Sequence, residues 1–305
     1  MARLPAIDAT LRTVERIASA PTAPYHEFRA MRAIAGALHE IGITPESDAY
    51  GQLHARVRAG DARRSLALVA HTDHPAFEIT SASGHEGRAR ILGGFYERFF
   101  TREVQVLVCD DGDTAPFAAT LDDYIQQVDV AHNSLGHCRI RAARPLAAGQ
   151  WAVLDLPGFD ARGEELHLRA ADDLALCAVA VLTLATLRER TEPHDVHLVF
   201  TRGEETGLYG ARLVAEDGLV SRDAIVVSLE ASRALPHVRA GAGAVVRPGD
   251  VYNTFSNDGE RFLRVARERL AEAALAAGAD ADESWWPDVR TVPAAIRALM
   301  RRGNG

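Results

Sequence analysis

The chain has 305 residues, 47% of them hydrophobic, and a formal net charge of -8. That length supports a sizeable core and a second, smaller domain. Acidic and basic residues are interspersed, so neither nucleic acid nor an anionic membrane surface is expected as a partner. Every basic residue is an arginine. This removes the Schiff-base lysine, the lysine general base and the Gly-Lys-Ser/Thr phosphate loop together. The three cysteines, Cys109, Cys138 and Cys177, form no Cys-x-x-Cys pair and read as reduced core thiols of a reducing compartment. The N-terminus has no apolar signal core and no apolar run reaches membrane-spanning length, so a cytoplasmic protein is expected.

Residues 6–20 carry Leu11, Val14 and Ile17 at helical spacing, and residues 25–42 carry Met31, Ile34, Leu38 and Ile41. The stretch Ser19-Ala-Pro-Thr-Ala-Pro24 separates the two helices, and Gly42 caps the second. Gln52–Val57 alternates as a strand. Leu66–Ala70 is a continuous apolar run, the pattern of a strand buried on both faces. Its end carries His71, at a strand tip of the kind where open α/β sheets bind ligands. Residues 76–160 lose helical periodicity and read as an inserted β domain of short strands between Gly and Asp turns, with one internal helix over Ala118–Gln127. The α/β pattern then resumes. A helix is predicted over Leu174–Arg188, a strand over His197–Thr201, a short helix over Gly210–Glu216 and a strand over Ala224–Leu229. Glu260–Ala277 is an amphipathic helix whose stripe of Phe262, Leu263, Ala266, Leu270 and Leu275 suits core packing. The organisation is therefore a discontinuous catalytic domain, residues 1–75 and 161–305, interrupted by an inserted domain at 76–160.

Three islands carry chemistry. In Ala-His71-Thr-Asp73-His74-Pro75, His71 and Asp73 point to one side of an extended chain. One imidazole nitrogen can bind metal while Asp73 fixes the ring or a neighbouring peptide; a simple loop hydrogen bond is the plainer alternative. Asp172-Asp173 precedes an apolar helix, where it serves as a helix cap or, with one oxygen to each, bridges two cations. In Thr201-Arg-Gly-Glu204-Glu205-Thr-Gly207, adjacent glutamates repel on a tight loop, and a cation would offset that. One can ligate metal while the other takes a proton from water. Glu230 ends the Ile-Val-Val-Ser-Leu run, where an unpaired buried carboxylate would be costly. The chain has no Gly-x-Ser-x-Gly elbow. Gly241-Ala-Gly243 reads as a turn, and His194-x-x-His197 as surface preceding a strand.

The order His-x-Asp, Asp-Asp, Glu-Glu and a further acid resembles the co-catalytic dizinc aminopeptidase and amidohydrolase superfamily. The gap between Asp73 and Asp172 is most similar to its tetrahedral, glutamyl/endoglucanase-like aminopeptidase branch, and Phe200–Ala211 is the most specific stretch. The resemblance implies an α/β fold with a mixed central sheet flanked by helices, of zinc-peptidase type, and an inserted small β-barrel-like domain. It implies His71 and Glu230 on one metal, Asp172 bridging, Glu205 on the second metal, Glu204 as general base and Asp73 behind His71. The two divalent ions would be Zn, with Co or Mn also suited to such ligands. A hydroxide between them would attack the carbonyl of a peptide or small amide. The implied function is a metallo-aminopeptidase, cytoplasmic and homo-oligomeric. A non-peptidase amide hydrolase and a catalytically impaired scaffold are the alternatives.

Three departures stand out. Glu230 replaces the branch's usual Asp, and Asp173-Leu174 replaces its common Asp-Arg. The branch also closes its second metal site with a histidine on a late strand, where this chain offers only His237, out of place, and ends early. The expectation is a truncated form or a ligand from elsewhere, with the second metal held about tenfold to several hundredfold more weakly.

Overall fold

In the computed structural model the chain divides into two compact units, Met1–Ala231 and Ser232–Gly305. The structure describes residues 7–95, 100, 102–112, 114–129, 134–163, 165–232, 245–249 and 254–276. His237 and Gly241-Ala-Gly243 lie outside the described residues.

The first unit opens with α1 (Ile7–Ala18) and α2 (Phe28–Glu40), which bury Val14, Ile17, Met31, Ile34 and Leu38. Then come β1 (Glu46–Ser47), β2 (Leu53–Ala59) and β3 (Leu66–His71). A six-stranded block follows: β4 (Ala76–Ser83), β5 (Glu86–Leu92), β6 (Val104–Cys109), β7 (Phe117–Asp129), β8 (Ser134–Ala142) and β9 (Trp151–Leu154). After the hairpin of β10 (Asp160–Arg162) and β11 (Glu165–His167), a π-helical turn at Ala171–Ala175 runs into α3 (Leu176–Arg188). The unit ends with β12 (His194–Thr201), α4 (Tyr209–Glu216) and β13 (Ile225–Ser228).

The central sheet has the order β1-β2-β12-β3-β13. β12 and β13 run parallel to β3, while β2 runs antiparallel to β12, so the sheet is mixed. Side chains alternate across it. Leu198 and Phe200 of β12 and Leu66, Leu68 and Ala70 of β3 pack on one face against α1, α2 and α3. Because β3, β12 and β13 are parallel, their carboxyl ends share one edge.

Strands β4 to β9 close into a barrel in the order β4-β5-β8-β7-β6-β9. Its interior is filled by residues such as Phe77, Ile79, Ile91, Val106, Leu121 and Ile140. The expected fold class is borne out: α/β, a mixed sheet with helices, and a β-barrel. The helix expected over Ala118–Gln127 is not: those residues lie in β7. Ala119 and Leu121 alternate with more exposed neighbours, the period of a strand. Asp122 lies beside Arg139 and Arg141 of β8, opposite charges brought together across the ladder. These long-range partners override the helix-forming bias of the local composition. His194-x-x-His197 is also corrected, since both residues lie within β12 and His197 is buried.

In the second unit, α5 (Asn257–Ala276) starts with Asp258 and Glu260 in its first turn, where acids suit the helix dipole. Phe262, expected in a packed stripe, stands exposed.

Candidate active site

The apolar run of β3 ends at His71, one position before the chain leaves the sheet. Thr72 ties this end to β12, because its backbone N–H and its hydroxyl both donate to the Thr201 carbonyl, at 3.0 and 2.8 Å. The His71 ring is 3% exposed. Its Nδ1 donates to the Asp73 carbonyl at 3.1 Å. Its Nε2 meets Asp172 Oδ1 at 3.0 Å, with Glu204 Oε2 and Glu230 Oε1 each at 3.9 Å. One imidazole thus gathers carboxylates from the π-helical turn, the loop after β12 and the end of β13. With Nδ1 fixed by a carbonyl, which can only accept, Nε2 is the nitrogen presented to the cluster.

Asp172 and Asp173 diverge. Asp172 is 41% exposed and faces His71, while Asp173 has no exposed surface. Asp173 Oδ2 accepts the His71 backbone N–H at 3.2 Å, and its Oδ1 is buried with no hydrogen-bond partner. One donor atom each from His71, Asp172 and Asp173 lies within 4.8 Å of the others. The sequence reading took Asp173 only as half of the Asp172-Asp173 pair, a helix cap or a bridge between cations, and gave it no site role of its own. His74 Nδ1 donates to the Asp172 carbonyl at 3.0 Å, which holds this turn from the other side.

The Glu204-Glu205 loop is built on its backbone. Asp73 Oδ1 accepts the Glu204 N–H and Oδ2 the Glu205 N–H, both at 2.9 Å. Gly203 before them has φ +62°, a left-handed conformation that glycine adopts without penalty. Among the described residues the Glu205 carboxylate makes no ion pair with His71, unlike those of Asp172, Glu204 and Glu230. Glu205 packs instead beside Gly93, where a Cβ would lie 3.1 Å from its own.

The electrostatics register crowding. Burial pushes the Glu204 carboxyl up to about 6, with Asp73, Glu230 and Asp172 adding to the rise. Burial likewise lifts Glu205 to about 8, Glu204 contributing, and Asp173 to about 9. Glu230 is raised by burial and by Asp172. Burial would raise Asp172 too, but its hydrogen bond to His71 pulls it below the usual value. Burial disfavours a charged His71, yet its bonds to Asp172, Asp73 and Glu230 outweigh that and raise its pKa. Protons here do what a cation would do. The donor set is one imidazole nitrogen and several carboxylate oxygens, with Asp173 Oδ1 left unpartnered, and it fits a divalent ion such as Zn²⁺, Co²⁺ or Mn²⁺.

Residues 142–273 match the M42 glutamyl aminopeptidase family. The matched segment covers less than half of the chain. It includes Asp172, Glu204, Glu205 and Glu230, whereas His71 and Asp73 precede it. The fold is similar to a TET aminopeptidase from a marine sediment Thaumarchaeota archaeon, with TM-score 0.69, 18% identity, and coverage of 86% of this chain and 79% of that one. It is also similar to an aminopeptidase from the archaeon Desulfurococcus kamchatkensis, with TM-score 0.65, 17% identity, and coverage of 87% and 78%. The TET1 peptidase of Pyrococcus horikoshii, which can assemble into a tetrahedron or a large octahedral shell, gives TM-score 0.66 at 18% identity, covering 86% and 82%. No curated protein sequence matches. The resemblance to the dizinc aminopeptidase branch is borne out, and with it the enzyme class, a metallo-aminopeptidase.

Among the described residues, no helix of this M42-like chain is long and apolar enough to cross a membrane. Cys109, Cys138 and Cys177 are free and buried.

Proposed function

We propose that this chain removes N-terminal amino acids from peptides. The observation that carries the reading is the convergence of Asp172, Glu204 and Glu230 on His71 Nε2, at one edge of a parallel strand trio, in a chain with an M42 segment. His71 and Glu230 would hold one divalent cation, Asp172 would bridge to a second, and Glu205 would face the second. A bound cation supplies Lewis-acid polarisation of a carbonyl and acidifies water.

The protein's own groups do the rest. Glu204 takes the proton of the attacking water and delivers it to the leaving amine nitrogen. Burial raises its carboxyl toward neutrality, which suits a group that must both accept and release a proton near pH 7. Asp73 holds the glutamate loop by two backbone amides and its carbonyl orients the His71 ring. Asp173 anchors the backbone of His71 from below. The three free cysteines agree with a cytoplasmic setting. By analogy with the shells of the Pyrococcus horikoshii peptidase, this chain would act as a homo-oligomer.

The test is hydrolysis of an aminoacyl-arylamide panel by metal-stripped protein reloaded with Zn²⁺ or Co²⁺. Turnover that requires metal and collapses in Glu204→Gln, with metal content unchanged, supports the reading. Folded, metal-loaded protein that cleaves no member of the panel overturns it in favour of a scaffold or a non-peptide substrate.

A further inference from the structure

We propose that Glu27 is a positioning residue for the general base, setting the register of the loop that presents Glu204; this rests on the role proposed above for Glu204. Glu27 immediately precedes α2 and has no exposed surface. Its Oε1 accepts the backbone N–H of Gly203 at 3.0 Å and that of Tyr25 at 2.9 Å. Its Oε2 accepts from Arg202 Nε at 2.8 Å. Arg202 Nη1 and Nη2 donate to the carbonyls of Tyr50 and Tyr25, at 2.7 and 2.9 Å.

Set beside the Asp73 contacts, this makes a continuous clamp. The N–H groups of Gly203, Glu204 and Glu205, three in a row, each end on a buried carboxylate oxygen. Two carboxylates from separate parts of the chain divide them: Glu27 at the head of α2 and Asp73 beyond β3. Among the described residues Glu27 hydrogen-bonds the loop at Arg202 and at the Gly203 backbone, one residue before Glu204. Among the described residues it makes no hydrogen bond or ion pair with His71, Asp172 or Glu230, so it acts through the loop rather than on the reacting atoms. The two peptides that follow are held at their N–H groups by Asp73 and at their carbonyls by the N–H groups of Tyr209, Gly207 and Leu208, which leaves a pivot on the N-terminal side of Gly203, whose left-handed φ of +62° is one of many that glycine can take. Glu27 closes that pivot. Proton transfer demands a carboxylate within hydrogen-bond reach of its partner, and a displacement of about 1 Å is worth about 100-fold in rate.

The experiment compares wild type, Glu27→Gln and Arg202→Lys as full-length, metal-loaded protein. Steady-state kinetics on an aminoacyl-arylamide are read together with amide hydrogen exchange and metal content. The expected result is kcat lower by about 10–100-fold in Glu27→Gln, with KM within about threefold and metal content unchanged. Exchange protection should fall at Gly203 and Glu204 while the amides of β3 and β12 keep theirs. Arg202→Lys, which keeps the charge but replaces the planar fork that reaches Glu27, Tyr25 and Tyr50 with a single ammonium centre, should show the same split at smaller size. Active wild type with kcat unchanged in both variants overturns the proposal, as does protection lost evenly across β3 and β12, which marks a global fold role. If Glu27→Gln does not fold, Arg202→Lys decides by the same two readouts. An inactive wild type overturns the aminopeptidase reading instead, and loss of protection confined to Gly203 and Glu204 would still establish the clamp.

Discussion

Asp73 accepts the backbone N–H of Glu204 through one carboxylate oxygen and of Glu205 through the other, both at 2.9 Å, across 131 residues of sequence. The carboxylate has no exposed surface. Its two oxygens thus help two mutually repelling glutamates to hold one backbone conformation. In Asp73→Asn one oxygen becomes an NH₂ that faces an N–H, so one donor loses its partner and a buried repulsion appears. The loss should be about 1–3 kcal/mol in chemical denaturation. Activity should fall by about 10–100-fold with metal still bound. Unchanged kcat beside the expected stability loss would show that loop geometry is not limiting.

The raised carboxyls predict proton release on metal binding. Burial holds Glu205 at about 8 and Glu204 at about 6, so near pH 7 the metal-free site carries protons that a cation must displace. Because these pKa values are raised, the competing protons are present below them and absent above them. Apparent Zn²⁺ affinity should therefore climb steadily from about pH 6 to about pH 8. Calorimetric titration in two buffers of different ionisation heat measures the number released. Identical heats in both buffers would rule the linkage out.

The parts of the site that were legible in the sequence are those where a local pattern and a chemical need coincide. The apolar run Leu66–Ala70 has the length and pattern of a buried strand, which puts the imidazole that follows it at a strand tip. The Thr-Arg-Gly-Glu-Glu-Thr-Gly turn declares itself by its glycines and its paired charges. Glu27 and Asp173 were not legible in the same way. Each acts by accepting a backbone N–H from far away, Glu27 from Gly203 across 176 residues and Asp173 from His71 across 102. A backbone donor has no residue type, so no motif announces its acceptor. The strand β7 failed for a related reason. Ala118–Gln127 has no local preference strong enough to resist its neighbours, and Arg139 and Arg141 of β8 decide its state.

Gly210 opens α4 against crowded backbone. A Cβ there would meet Gln52 Oε1 at 2.3 Å and the Arg202 carbonyl oxygen and nitrogen at 2.4 and 2.6 Å. Helix propensity alone favours alanine over glycine by about 1 kcal/mol. The clash involves main-chain atoms of the residue that precedes Gly203, which cannot swing aside, and overpacking of this kind costs about 1–3 kcal/mol. The steric term wins, so Gly210→Ala should destabilise the protein and slow turnover together. Denaturant titration beside steady-state kinetics checks both; a more stable Gly210→Ala would show that the loop yields easily.

His197 sets an acid limit to stability away from the active site. It lies on β12, its Nε2 is 3.4 Å from His54 Nδ1, and it is 8% exposed. Burial, with His54 and Arg56 adding, lowers its pKa from 6.5 to about 4. The folded state therefore holds His197 neutral where the unfolded chain would protonate it. Its contribution to stability is whole above about pH 6.5 and is lost progressively as the pH falls toward 4, because in that window the unfolded state binds more protons. Integrated to about pH 5 the loss is on the order of 2 kcal/mol. In His197→Gln the unfolding free energy should fall less steeply than in wild type between about pH 6.5 and about pH 5. Denaturant titrations at half-unit pH steps measure the slope, and equal slopes for the two proteins would show that His197 does not titrate through the fold.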